Sequence, residues 1–261
     1  MKISGVVITL NEAECIETCL ASMSAVCDEL IVVDSGSTDA TCRLAEAAGA
    51  RVIEQPYLGD GPQKNVGPAQ ATHRWILSID ADERLTDAAI ATIQALDLAN
   101  TGHDGFAFRR RNFIGSRWIK TCGWYPDYCI RLFDRERTAF SNSRQHASVQ
   151  ATQPRRLDAD LEHYSFANLG ELFSKASGRF SNRAAKIMYL KGKRANSWSP
   201  FIHGSNAFVR KYLFQRGFMS GIDGVSVALS AAVNAYLKYA KLLEFQRDAQ
   251  VRKAEDFERI W

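Results

Sequence analysis

What this 261-residue sequence lacks narrows it first. Its six cysteines (Cys15, Cys19, Cys27, Cys42, Cys122 and Cys129) include no Cys-x-x-Cys pair. In a chain of this length they read as reduced thiols rather than a zinc site or a disulfide framework. Proline and glycine are sparse, at 6 and 17, and neither recurs at a fixed interval. That excludes collagen-like and solenoid chains, and no heptad persists long enough for a coiled coil. The apolar run Ile3 to Leu10 is followed at once by Asn11, Glu12 and Glu14, where a signal peptide would carry small residues for cleavage. The longest uncharged C-terminal run, Gly224 to Leu237, is 14 residues, which reads as too short to span a bilayer. With 46% apolar residues and a net charge of only +4, the chain has enough core to fold.

Acidic residues are missing from one stretch altogether. Residues 172–222 carry ten basic residues and no acidic one, whereas residues 1–171 carry a net −6 and residues 223–261 balance. Such a block marks a functional division. Its apolar residues, Leu172, Phe173, Phe180, Ile187 and Leu190, recur at helical spacing beside Lys186, Lys191, Lys193 and Arg194. A basic amphipathic surface of this kind suits an anionic membrane or a phosphorylated glycolipid. Nucleic acid is not expected as a partner, because no helix-turn-helix, zinc or RNP signature accompanies the charge.

The first 165 residues alternate strand and helix. Lys2–Leu10, Glu29–Asp34, Arg51–Glu54 and Trp75–Ile79 read as buried strands, and residues 13–25, the stretch to Ala48 and residues 87–97 as helices, with Thr86 capping the last. Short connections between them predict a right-handed parallel sheet. From Gly105 to about Tyr164, aromatic and basic pieces predict an antiparallel or mixed extension. Helical periodicity dominates from Asn168, broken near residues 197–200 and 217–224. The expectation is an α/β domain over 1–165 and a helical, basic extension over 166–261.

Polar residues collect at the C-terminal ends of these strands, the edge where open α/β sheets bind ligands. Asn11 and Glu12 follow the first strand and Asp34 ends the second. Asp34 could accept a bond from a base or ribose, or could simply form an Asx turn before the Gly36-Ser37-Thr38 segment. Asp80-Ala81-Asp82 follows the fourth strand, where two carboxylates at i, i+2 can converge on a hard cation such as Mg²⁺ or Mn²⁺. Gly59-Asp60-Gly61-Pro62-Gln63-Lys64 is neither a P-loop nor a dinucleotide fingerprint, yet Lys64 at a helix start could meet a phosphate, helped by the helix amides.

Taken in order, VVITLNEAECIETCLAS, DELIVVDSGSTDAT, GDGPQKN and WILSIDADERL resemble the inverting glycosyltransferases of family 2, which have a GT-A-type fold. Gly123-Trp124-Tyr125-Pro126-Asp127 and Arg131-Leu132-Phe133 resemble the branch that builds lipopolysaccharide core by adding glucose to an inner-core heptose. The resemblance implies a GT-A-type mixed sheet flanked by helices, a UDP-glucose donor, a glycolipid acceptor and a place on the cytoplasmic face of the inner membrane. It implies that Asn11, Glu12, Asp34, Lys64 and Asp80 bind the donor and that Asp82, with Asp80, holds Mg²⁺ or Mn²⁺. Relatives of that branch carry a His-Glu pair after the Arg-Leu-Phe segment, and here the pair is His146-Ala147. The acid being absent, Asp127 is the candidate base, with His146 beside the site. His163 could also reach the metal or diphosphate, and Trp118, Trp124 and Tyr125 could form a sugar-stacking wall or could be core. A family 2 enzyme for another surface polysaccharide or lipid carrier, and a sugar-nucleotide-binding protein without turnover, stand as alternatives.

Overall fold

The computed structural model describes residues 1–144 and 147–247. Its strands are β1 (Ile3–Thr9), β2 (Glu29–Asp34), β3 (Arg51–Glu54), β4 (Trp75–Asp80), β5 (Glu83–Leu85), β6 (Gly105–Ile114), β7 (Arg117–Trp118), β8 (Asp127–Asp134) and β9 (Pro154–Phe166). Among the described residues they form one sheet in the order β3-β2-β1-β4-β8-β6-β9-β5, with β7 paired to the end of β6. The first four strands are parallel, and β8 pairs antiparallel with both β4 and β6. The expected parallel sheet and its antiparallel extension are both present.

Helices α1 (Ile16–Ser24), α2 (Thr41–Ala47), α3 (Asp60–Gln70) and α4 (Asp87–Gln94) flank the sheet. The central strands β1 and β4 are buried at nearly every position because both faces are covered. Val7, Val32, Leu77 and Ile79 pack with Ile16, Leu20 and Met23 of α1. Their neighbours Val6, Ile31, Val33 and Ile76 join Phe133 and Phe140 in a separate cluster. The period of two along each strand divides these two cores. Thr86 caps α4 as expected, accepting from the Ala89 amide at 3.2 Å.

The chain divides into two compact units, Met1–Arg111 with Pro126–Tyr164, and Asn112–Tyr125 with Ser165–Trp261. The second unit therefore takes residues 112–125 in addition to the helical extension. Within it lie α5 (Leu169–Lys175), capped by Asn168, α6 (Ser181–Leu190), α7 (Ser199–Val209) and α8 (Gly221–Arg247). Short π-helical turns at Ala176–Phe180 and Arg210–Phe214 and a 3-10 turn at Gly217–Ser220 join them. Trp124 stacks on Phe166, with ring centroids 5.9 Å apart, and packs on the buried cluster of Ile114, Ile119, Leu172 and Val227. For Trp124 the core alternative is what the fold contains.

One expectation fails here. Gly217–Arg247 is long and apolar enough to cross a membrane by length and composition, with a mean hydropathy of 1.3 in its best window. The uncharged run understated it because a helix does not end at its first lysine. All six cysteines are free thiols, as expected.

Candidate active site

The C-terminal edge of β1, β2 and β4 carries the polar cluster. Asn11 has φ of 57°, a left-handed conformation that asparagine tolerates better than most residues. Its Oδ1 accepts from the Thr38 amide at 2.8 Å, tying the end of β1 to the loop after β2. The Glu12 amide donates to Thr41 Oγ1 at 2.8 Å and holds the start of α2 to the same edge.

Asp34 is 2% exposed, and both its oxygens are occupied. Thr9 Oγ1 and Ser37 Oγ donate to Oδ1 at 2.9 and 2.5 Å, while the Gly36 and Ser37 amides donate to Oδ2 at 2.9 and 2.7 Å. Burial pushes this carboxyl up, but the Ser37 hydroxyl and amide, Thr9 and Gly36 outweigh it and hold it below its ordinary value. Of the two alternatives for Asp34, the Asx turn is the one formed. Four donors thus converge on one carboxylate and fix the loop that follows β2.

Lys64 lies on the second turn of α3, not at its start, and is buried. The first-turn amides are not open to a phosphate: Asp60 N donates to the Arg144 carbonyl at 3.2 Å and Gly61 N to that of Ser143 at 2.9 Å. A Cβ at Gly61 would lie 1.8 Å from the Ser141 carbonyl, so only glycine lets this strap approach the helix. The expected help from the helix amides is therefore corrected, because the chain's own carbonyls take them. Instead, Lys64 Nζ donates to Asp80 Oδ1 at 2.8 Å.

Asp80 is the hinge of an ion network that sequence reasoning did not assemble. Arg131 Nη2 lies 2.5 Å from Asp80 Oδ2 and 2.5 Å from Glu83 Oε1, and Glu83 is fully buried. Burial alone would raise the Asp80 carboxyl, but Arg131 and then Lys64 overcome it and hold it well below the usual carboxylate range. Burial likewise opposes the charge on Arg131, and Asp80 and Glu83 more than restore it. Arg110 reaches both neighbours, with Nη1 3.5 Å from Glu83 Oε1 and Nη2 2.6 Å from Asp127 Oδ2. The strand register makes the last pair, since Arg110 on β6 stands opposite Asp127 on β8. Both Arg110 bonds to Asp127, from Nε and Nη2, end on Oδ2. Arg131, Glu83 and Arg110 carried one signal in the sequence: charged residues inside strands that are otherwise apolar require buried partners.

Asp82 is placed differently. Its carboxylate Oδ2 lies 3.3 Å from His163 Nε2, and both side chains remain partly exposed, at 32% and 17%. The β5–β9 register sets Glu83 opposite His163, and the Tyr164 amide donates to the Asp82 carbonyl at 2.9 Å. A carboxylate oxygen and an imidazole nitrogen this close form a mixed donor pair, which suits Mn²⁺ better than the oxygen-selective Mg²⁺. Among the described residues no three His, Cys, Asp or Glu side chains gather as a closed metal cage. His146 lies outside the described residues. Next to it, the Ala147 amide donates to Asp60 Oδ2 at 2.6 Å, so this strap is fixed to the head of α3 from both ends.

A mixed sheet with a 3-2-1-4 parallel half, acids at its C-terminal edge and an Asp-x-Asp after β4 defines a GT-A-type glycosyltransferase fold. The profile of the family described as glycosyl transferase family 2 matches residues 4–218, and the chain belongs to that family. It is 31% identical over 255 residues to a glycosyltransferase of Rickettsia bellii, covering 93% of this chain and 86% of that one. It is 27% identical over 262 residues to the lipopolysaccharide core biosynthesis glycosyltransferase LpsC of Rhizobium meliloti, covering 95% and 94%. Among solved structures, Staphylococcus aureus TarS (residues 1–349) with UDP-GlcNAc aligns over 95% of this chain and 92% of that one, at 16% identity and a TM-score of 0.48. Glucosyl-3-phosphoglycerate synthase of Mycobacterium tuberculosis, with Mn²⁺ and UDP, aligns over 44% of each chain at 32% identity and a TM-score of 0.34.

Proposed function

We propose that the chain transfers a hexose, glucose, from UDP-glucose to a heptose of the lipopolysaccharide core or a related glycolipid, with inversion at the anomeric carbon. The observation that carries this is the strand edge itself: the Asp82–His163 donor pair lies two residues from an Asp80 already neutralised by Lys64 and Arg131. The similarity to LpsC across nearly the whole of both chains supports the acceptor class.

In this reading the donor nucleotide lies along the loops that Asn11, Glu12 and Asp34 shape. Asp82 and His163 would hold Mg²⁺ or Mn²⁺, which when bound supplies positive charge to the leaving diphosphate. Asp80 serves by fixing the positions of Lys64 and Arg131, whose charges favour the developing diphosphate anion. Asp127 takes the proton from the acceptor hydroxyl as its oxygen bonds to the anomeric carbon and the bond to the diphosphate breaks. Arg110 binds only Oδ2 of that carboxylate, so it orients Asp127 while Oδ1 is left to accept the proton. The enzyme works on the cytoplasmic face of the inner membrane, where the helical unit meets anionic lipid.

Asp82→Ala is the direct test, read as nucleotide-diphosphate binding with and without Mn²⁺. Loss of the Mn²⁺-dependent part is expected; unchanged affinity overturns the role. A second reading, a sugar-nucleotide-binding protein without turnover, is motivated by Ala147. It predicts donor binding with no release of nucleotide under any acceptor.

A further inference from the structure

The second unit carries a surface that its own fold leaves bare. α7 approaches α8 closely at Gly204, where a Cβ would lie 3.3 Å from the Ala232 carbonyl and 3.3 Å from Tyr236 Cβ. Beside this close approach the helix and its continuation present Trp198, Phe201, Ile202, Val209 and Leu213, all exposed. These follow the helical spacing of one face, where a helix in water carries charged residues. On α8 the exposed apolar residues are Ile222, Leu229 and Tyr236, seven apart and so again on one face. The two faces adjoin, because Phe201 packs edge-on against Tyr236 with ring centroids 5.3 Å apart. The turn between the helices adds Phe214, 80% exposed, with Phe218 and Met219. Exposed aromatic and aliphatic side chains in this number mark an interaction surface.

Charge says what kind of partner fits. Lys191, Lys193, Arg194, Arg210 and Arg216 are exposed around this surface, and no acidic residue occurs between 172 and 222. Other cations of the helical unit are spent internally: Lys175 pairs with Glu171 at 2.6 Å, Lys211 Nζ donates to the Cys122 carbonyl at 2.6 Å, and Lys186 is buried. The expectation for the basic stretch 172–222 therefore narrows to its exposed cations, because part of that stretch faces inward. Although Gly217–Arg247 is long and apolar enough to cross a bilayer, charged side chains along α8 are tied to the rest of the helical unit, which suits a helix lying on the surface. Asp223 is paired with Arg117 at 2.9 Å, and Lys241 Nζ donates to the Ser177 carbonyl at 2.6 Å.

We propose that the α7–α8 face, from Trp198 to Tyr236, lies in the interface of an anionic lipid bilayer, its apolar side chains at the acyl boundary and Lys191, Lys193, Arg194, Arg210 and Arg216 among the headgroups. Trp198 and Tyr236 have the amphipathic rings that suit headgroup depth. Apolar burial supplies the affinity, and the basic rim selects anionic lipid. The proposal refines the membrane placement given above, and its test needs neither donor nor acceptor.

The full chain is sedimented with vesicles of phosphatidylcholine, with and without phosphatidylglycerol. Binding only to the anionic vesicles, weakened by salt, is expected. Phe214→Ser with Ile222→Ser should lower partitioning about tenfold or more, since both side chains leave water on docking. Arg210→Glu with Arg216→Glu should abolish the preference for anionic lipid. All four positions are exposed, so far-UV circular dichroism and the thermal midpoint should match the parent. Asp82→Ala should bind vesicles like the parent, which separates this claim from the catalytic one. Failure of the parent chain to bind anionic vesicles overturns the proposal. So does unchanged binding by both double variants, or a stable dimer in light scattering that the Phe214→Ser and Ile222→Ser pair dissolves without any vesicle binding.

Discussion

Replacing Arg131 by Met would remove a charge from the middle of the buried network while keeping most of its length. Arg131 is 6% exposed at the side chain and bonds Asp80 and Glu83 at 2.5 Å each. Without it, Asp80 keeps Lys64 at 2.8 Å, but Glu83, with no exposed surface, keeps the Asp80 amide at 3.2 Å and, of the cations, Arg110 at 3.5 Å. Removing one partner of a buried pair costs about 3–5 kcal/mol, most of it from the charge left behind. For a unit of this size that corresponds to a fall of roughly 6–20 °C in thermal midpoint. The assay is denaturant and thermal unfolding of Arg131→Met, Glu83→Gln and the double variant. If the cost is the orphaned carboxylate, the double variant should recover at least about 1 kcal/mol relative to the sum of the singles. An Arg131→Met chain within about 0.5 kcal/mol of the parent would refute the reasoning, because it would mean that Glu83 had not needed its partner.

Other consequences are more local. Glu29 accepts from Ser4 Oγ at 2.6 Å and from the Thr72 amide at 2.8 Å; burial opposes its charge, but these bonds, with Thr72 Oγ1 and Arg51, hold its pKa at about 2. A lowered carboxylate pKa stabilises the fold above its unfolded value, so at most about 3 kcal/mol is complete at neutral pH and is lost as pH falls from about 5 to 2. Glu29→Gln should remove that slope from acid unfolding curves, and an unaltered slope would place it elsewhere. Asp127→Asn should leave donor binding intact and lower transfer by at least about a hundredfold, the usual worth of a general base; full transfer would put the base at another residue. Gly61→Ala should push the Ser141–Arg144 strap off α3 and weaken donor binding, detectable as a raised Kd for nucleotide diphosphate.

Much of this was legible in the sequence because it is local. Apolar runs bounded by Asn11, Asp34 and Asp80 mark strands and their functional edge without reference to anything distant. Thr86 and Asn168 announce the helices that follow them. The ion network was hidden because β8 inserts between β4 and β6, bringing Arg131 to Asp80 across 51 positions of sequence. A motif names two aspartates but not which of them is already neutralised. Asp34 shows the same limit: its sequence context offered a turn among its readings, and the four converging donors that form it come from two separate segments. The membrane surface was blurred for another reason, since composition counts lysines that point inward, such as Lys186, together with those that point out.

The most direct test of the central claim is release of nucleotide diphosphate from a panel of UDP-, GDP- and dTDP-sugars, each with Mn²⁺ or Mg²⁺, with and without a lipopolysaccharide-core acceptor. Release from UDP-glucose is expected, stimulated by the acceptor, dependent on the metal and abolished by Asp82→Ala. Release from no donor under any acceptor, with tight donor binding, would contradict it and leave a protein that holds sugar nucleotides without transferring them.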